Sequence, residues 1–113
     1  MNLVELVYGL TRHFPRHETY ALSSQMQRAA VSVPSNIAEG HAREHIKEYL
    51  HHLSMSQASL AEMETQLEIA LRLGYITRAQ FTEAFDVTQS IGRQLRSLRT
   101  SLMKSSSNLL PRT

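Results

Sequence analysis

Apolar residues recur along this chain at helical spacing in four separate runs, and no run alternates with the two-residue period of a half-buried strand. The first run extends from about Asn2 to His13 and carries Leu3, Leu6, Val7 and Leu10 on one side. Pro15 restricts Phe14 to extended geometry and closes it. The second begins between Thr19 and Ser24, where several Ser/Thr caps are available, and continues to about Glu39. Its apolar face holds Leu22, Met26, Ala29, Ala30, Val33 and Ile37, and Gly40 fits a C-terminal stop. Pro34 removes one backbone donor and crowds the carbonyl four residues back, which predicts a bend.

The third run, from about Glu44 to Leu73, has the strictest pattern. Ile46, Leu53, Leu60 and Leu67 repeat every seven residues beside a row of Tyr49, Ser56, Met63 and Ala70. A seven-residue repeat means a helix packed along its neighbours at a shallow angle, and Gly74 ends it. The fourth opens on a capping box, Thr77 with Gln80, and Ile76 can staple onto Phe81. Its rows are Ala84, Ile91, Leu98 and Thr88, Leu95, Leu102, and it runs to Lys104. Residues 105–113, SSSNLLPRT, are polar and proline-ended and read as a flexible tail. Four amphipathic helices with short connections bury their stripes most simply as an all-α, antiparallel up-down-up-down four-helix bundle, one domain over residues 1–104.

Composition adds limits. A chain of 113 residues supports one core, and 42% hydrophobic content with four glycines and three prolines favours a folded chain. The absence of cysteine excludes disulfides and thiolate chemistry and suits a cytoplasmic location. No secretory leader is evident, and no apolar run approaches the ~20 residues that cross a bilayer. Net charge is +2, unevenly spread. Glu62 to Glu68 is acidic, whereas Arg93, Arg96, Arg99, Lys104 and Arg112 follow Val87 with no acid among them. Such an end invites a polyanion.

Three groups of side chains are candidates for chemistry. On the second helix Arg28, Ser32, Ser35 and Glu39 line up opposite the apolar face, with Asn36 at its edge; this is either a solvated face or a polar contact within the bundle or between subunits. His41, His45, Glu48 and His52 fall within about 60° of one another, and i, i+4 histidines can hold a divalent ion. The four span roughly 16 Å of axis, however, so they cannot share one ion, and a solvated face is the reading adopted. Arg93, Arg96, Arg99 and Lys104 lie opposite Ile91, Leu95, Leu98 and Leu102, as a solubilising face or a phosphate-contacting surface. There is no aromatic interleaving for base stacking, no phosphate loop, no nucleophile elbow and no HExxH, so neither an enzyme nor a cofactor, metal or small-molecule substrate is expected.

The segment from Gln25 to Gly40, QMQRAAVSVPSNIAEG, resembles the hallmark of the four-helix bundle proteins encoded in intervening sequences of bacterial 23S ribosomal RNA genes. The resemblance continues through SLAEMETQLEIALRLGYI, from Ser59 to Ile76. More distantly, the accessory protein of diversity-generating retroelements is similar. On this resemblance the hallmark falls on Arg28, Ala29, Ser32, Pro34, Asn36, Ile37, Ala38, Glu39 and Gly40, with Ser35 beside them as a candidate interface residue. The resemblance implies a left-handed bundle assembled as a homopentamer, and the retroelement relatives imply nucleic-acid binding through a basic surface. It also implies a longer first helix than this chain shows before Leu3. The expectation is a non-enzymatic, homo-oligomeric accessory that binds RNA or DNA through Arg93, Arg96, Arg99 and Lys104. The alternative is a protein–protein assembly module with no nucleic-acid role.

Overall fold

In a computed structural model of the chain, residues 2–109 are described, with side chains from 3 to 105. Four helices follow in order: α1, Asn2–Thr11; α2, Leu22–His41; α3, Ile46–Arg72; and α4, Arg78–Leu109, with a 3-10 turn at Arg16–Glu18 before α2. No strand occurs among the described residues. Sequential helices pack together and α4 returns to α1, while the diagonal pairs make no backbone contact, so the bundle is antiparallel and up-down-up-down. No helix among the described residues is long and apolar enough to cross a membrane.

The predicted rows form the core. Leu53, Leu60, Leu67, Ser56, Met63 and Ala70 of α3 are buried, as are Ala84, Thr88 and Leu95 of α4. Ile46 and Tyr49, at the open end of α3, are only half-buried. Leu3, Val7 and Leu10 of α1 are buried and Leu6 packs against them at the edge. At ~1.5 Å per residue α1 is about 15 Å long and α4 about 48 Å. α1 therefore covers one end of the bundle, and Leu98 and Leu102 of α4 stay half-buried beyond it.

The helix ends differ in how well the sequence foretold them. Thr77 and Gln80 exchange bonds as a capping box: Thr77 N–H donates to Gln80 Oε1 at 2.9 Å and Gln80 N–H to Thr77 Oγ1 at 3.1 Å. α3 closes at Gly74, whose φ of 77° is left-handed. Tyr75 N–H reaches the Ala70 carbonyl at 2.9 Å and Gly74 N–H the Leu71 carbonyl at 3.0 Å, the paired bonds of a Schellman ending. α2 has no Ser/Thr cap; Ala21 takes that place, and Glu18 Oε1 accepts from Leu22 N–H at 3.3 Å instead. α4 continues as helix to Leu109, so backbone expected to belong to a flexible tail from 105 is helical as far as 109. Residues 110–113 lie outside the described residues.

Gly40 does not stop α2. It is buried in the last turn, and the helix passes through it to His41. Its role is spatial. A Cβ at this position would stand 2.8 Å from His52 Cβ, 2.9 Å from Tyr49 Cδ1 and 3.3 Å from the Tyr49 carbonyl oxygen. Those atoms belong to α3 near its backbone, so they cannot swing away, and the two helices would have to separate. Gly9, inside α1, has no such neighbour within 4 Å.

The far end of the bundle is tied by one carboxylate. Tyr75 Oη donates to Glu18 Oε2 at 2.7 Å, and the Tyr75 ring packs on Phe14 with centroids 5.1 Å apart. The Tyr75 hydroxyl holds Glu18 below the usual carboxylate value of 4.5, helped by Leu22 N–H and His17. The same bond, together with burial, pushes Tyr75 above 10.0.

Two outcomes follow from this packing. Gly40→Ala should destabilise the protein by about 1–3 kcal/mol, whereas Gly9→Ala should stabilise it by about 0.5–1 kcal/mol, both read by chemical denaturation. The Glu18 contribution is present above the unfolded carboxylate value and is lost as pH falls through the lower folded value. The melting temperature of Tyr75→Phe should therefore fall less steeply than the parent's on acidification from pH 6 to about pH 3.

Candidate functional site

The hallmark segment of α2 divides between the α3 interface and the surface. Arg28, Ser35, Ala38 and Glu39 are exposed, whereas Ala29, Asn36 and Gly40 are buried and Ser32, Pro34 and Ile37 are half-buried. The stripe expected to lie together opposite the apolar face is thus split. Ser32 and Asn36 turn into the seam between α2 and α3, because the helices approach closely enough there for their side chains to be shared. Of the small residues of α2, Ala29 and Ala30 are buried inside the bundle and Ala38 is exposed.

The seam is a connected polar network. Asn36 Nδ2 donates to the Ser32 carbonyl and to Ser32 Oγ, each at 3.0 Å. A carbonyl can only accept, so the Asn36 amide is oriented and its Oδ1 faces His52 Nδ1 at 3.1 Å. His52 Nδ1 must then carry the proton. Ser59 Oγ donates to Ser32 Oγ at 2.9 Å, and the fully buried Ser56 donates to the Val33 carbonyl, just before Pro34, at 2.8 Å. The Glu39 carboxylate stands 3.7 Å from His52 Nδ1 at the exposed rim. Buried polar groups satisfied in this way fix which residues meet across two helices.

The α3 half of this seam was the part hidden in the sequence. His52, Ser59 and Gln66 are seven apart, each immediately before a leucine of the core row. A polar row at the core's own period marks a buried flank, but it sits beside the stronger leucine signal. His52, read as solvated with the other histidines, has a side chain only 13% exposed and is bonded to α2. Its former companions are elsewhere: His41 stacks on Tyr49 with centroids 5.9 Å apart, and His45 is the exposed residue preceding α3. Among the described residues no three His, Asp or Glu side chains gather to hold a metal ion.

The cations of α4 also separate. At 100° per residue Arg93 and Lys104 lie within about 20° of each other, Arg96 about 60° to one side and Arg99 about 120°. Arg93, Arg96 and Lys104 are exposed. Arg99 is half-buried, and its Nη1 donates to Gln57 Oε1 of α3. It therefore does not belong to the outer face on which the sequence placed it. Arg96 forms the boundary. It lines the groove shared with Gln57 of α3 and also the outer hollow containing Ser97, Thr100, Ser101 and Lys104.

Comparison with known proteins matches this architecture. A solved structure of a protein of unknown function from the S23 ribosomal protein family of Bacteroides thetaiotaomicron superposes with a TM-score of 0.81 at 22% identity. The match covers 88% of this chain and 89% of that one, and it establishes the shared fold. No match was found among curated proteins. The sequence profile of the 23S rRNA-intervening sequence proteins matches residues 1–97, from α1 to Ser97 within α4, and the chain accordingly belongs to that family.

Proposed function

We propose that the protein is a non-enzymatic, self-assembling helical bundle that binds nucleic acid through the second half of α4. The observation that carries this reading is the charge distribution on that helix. Four cations, Arg93, Arg96, Arg99 and Lys104, follow Val87 with no acid among them, and three are exposed. Phosphate contacts of this kind release counterions, so they supply affinity that falls with salt and carry no sequence information. Membership of a family named for 23S rRNA intervening sequences makes RNA the polyanion to test first. With titrations of generic RNA at about 50 and 200 mM salt, binding should be measurable at the lower and much weaker at the higher. Arg93→Glu combined with Arg96→Glu should abolish it with the helical spectrum intact.

Self-assembly is proposed as a homopentamer, the number implied by the family resemblance. The support comes from the α1–α2 side. The Gln27–Thr11 hydrogen bond sets the antiparallel register of these helices. One turn beyond it Tyr8 and Val31 are 44% and 40% exposed on neighbouring helices. Five copies would repeat the α4 cations five times and convert weak phosphate contacts into avidity. Light scattering at micromolar concentration should report five protomers of 12.9 kDa, and Val31→Arg should lower that mass. A parent that assembles but binds no RNA at low salt would instead favour the assembly module with no nucleic-acid role.

A further inference from the structure

Gly92 leaves a recess between α3 and α4. Gln57, Leu60 and Glu64 line it from α3, and Thr88, Gln89 and Arg96 from α4. The Arg96 guanidinium folds back over the glycine: a Cβ at residue 92 would stand 3.4 Å from its Nη1. One turn further along α4, Arg99 Nη1 donates to Gln57 Oε1. Committing that oxygen to Arg99 leaves the Nε2 of the same amide as a donor. The Nε of Arg99 is buried and has no partner among the described residues. Gln57 thus bonds one guanidinium group, that of Arg99, and lines the recess beside a second, that of Arg96. The one carboxylate in the recess, Glu64, is seven residues from Gln57, about 10 Å along the axis, and already accepts from Gln89 Nε2 at 2.8 Å.

A buried guanidinium N–H with nothing to donate to is unfavourable, and an oxyanion relieves it. Guanidinium forks fit the paired oxygens of a phosphate, and charge-assisted bonds of this type are the stronger class. We infer that the α3–α4 recess over Gly92 is a phosphate site, lined by Arg96 and Gln57 and bordered by Arg99 through its bond to Gln57. In its full form this rests on the nucleic-acid reading above, with one backbone phosphate seated in the recess. Arg93 and Lys104, on the outer face, serve only to attract the polyanion.

The site is tested with two probes. Inorganic phosphate, compared with chloride at equal ionic strength, should raise the melting temperature of the parent and of Arg93→Gln. It should not raise that of Gln57→Leu or Arg99→Gln. Arg96→Gln should also lose the shift, and it serves if Arg99→Gln fails to fold. With a short RNA, the charge-neutral Gln57→Leu should weaken binding about tenfold, whereas Arg93→Gln weakens it less than about threefold. A parent that phosphate does not stabilise overturns the site, as does a shift retained in Gln57→Leu and Arg96→Gln. Phosphate stabilisation without RNA binding leaves the site standing and removes the nucleic-acid reading. RNA binding without phosphate stabilisation does the reverse.

Discussion

The close approach of α2 to α3 is the constraint around which the bundle is arranged. Gly40 lets the two backbones meet where any side chain would collide with Tyr49 and His52. Along the same seam Ser32, Asn36, His52 and Ser59 can bond only in one register. A slip of α3 by one turn would leave the amide and hydroxyls buried and unpaired, which costs more than the bonds themselves contribute. With α2 and α3 fixed, the leucine row of α3 meets α4, and the Schellman turn at Gly74 with the capping box at Thr77 sets where α4 begins.

Most of this architecture was legible because its signals are local or periodic. The seven-residue row of α3 and the Thr77–Gln80 box announce helix packing and a helix start without reference to anything distant. What the sequence hid depends on contacts between helices. Gly40 reads as a stop, since glycine commonly ends helices, and only the neighbouring Tyr49 and His52 show that it serves as a gap. The α2 cap was misread for a similar reason. Glu18 reaches forward from the 3-10 turn and makes a Ser/Thr cap unnecessary. His52 looks solvated on its own helix and Asn36 stands at the edge of a stripe with two readings; only placed against each other do they bond across the seam, Asn36 buried and His52 half-buried.

The same division holds for charge. A count along α4 after Val87 gives four cations, but the packing partner decides what each can do. Arg93 and Lys104 face solvent, while Arg99 is held at α3 by Gln57. Arg96 stands between these positions, lining both the α3–α4 recess and the outer hollow beside Lys104. The hallmark of α2 and the cations of α4 are thus separate features that meet only through α3. The first fixes the position of that helix and the second uses it as a wall.

If the hallmark exists to hold α2 on α3, its members must differ in energy according to which way they point. A double-mutant cycle on Ser32 and Asn36, read by chemical denaturation with Ser35→Ala as the exposed neighbour, measures this directly. The expected coupling between Ser32→Ala and Asn36→Ala is roughly 0.5–3 kcal/mol, and the expected effect of Ser35→Ala is within about 0.5 kcal/mol. Additive effects of Ser32→Ala and Asn36→Ala, or an Asn36→Ala no more damaging than Ser35→Ala, would contradict it.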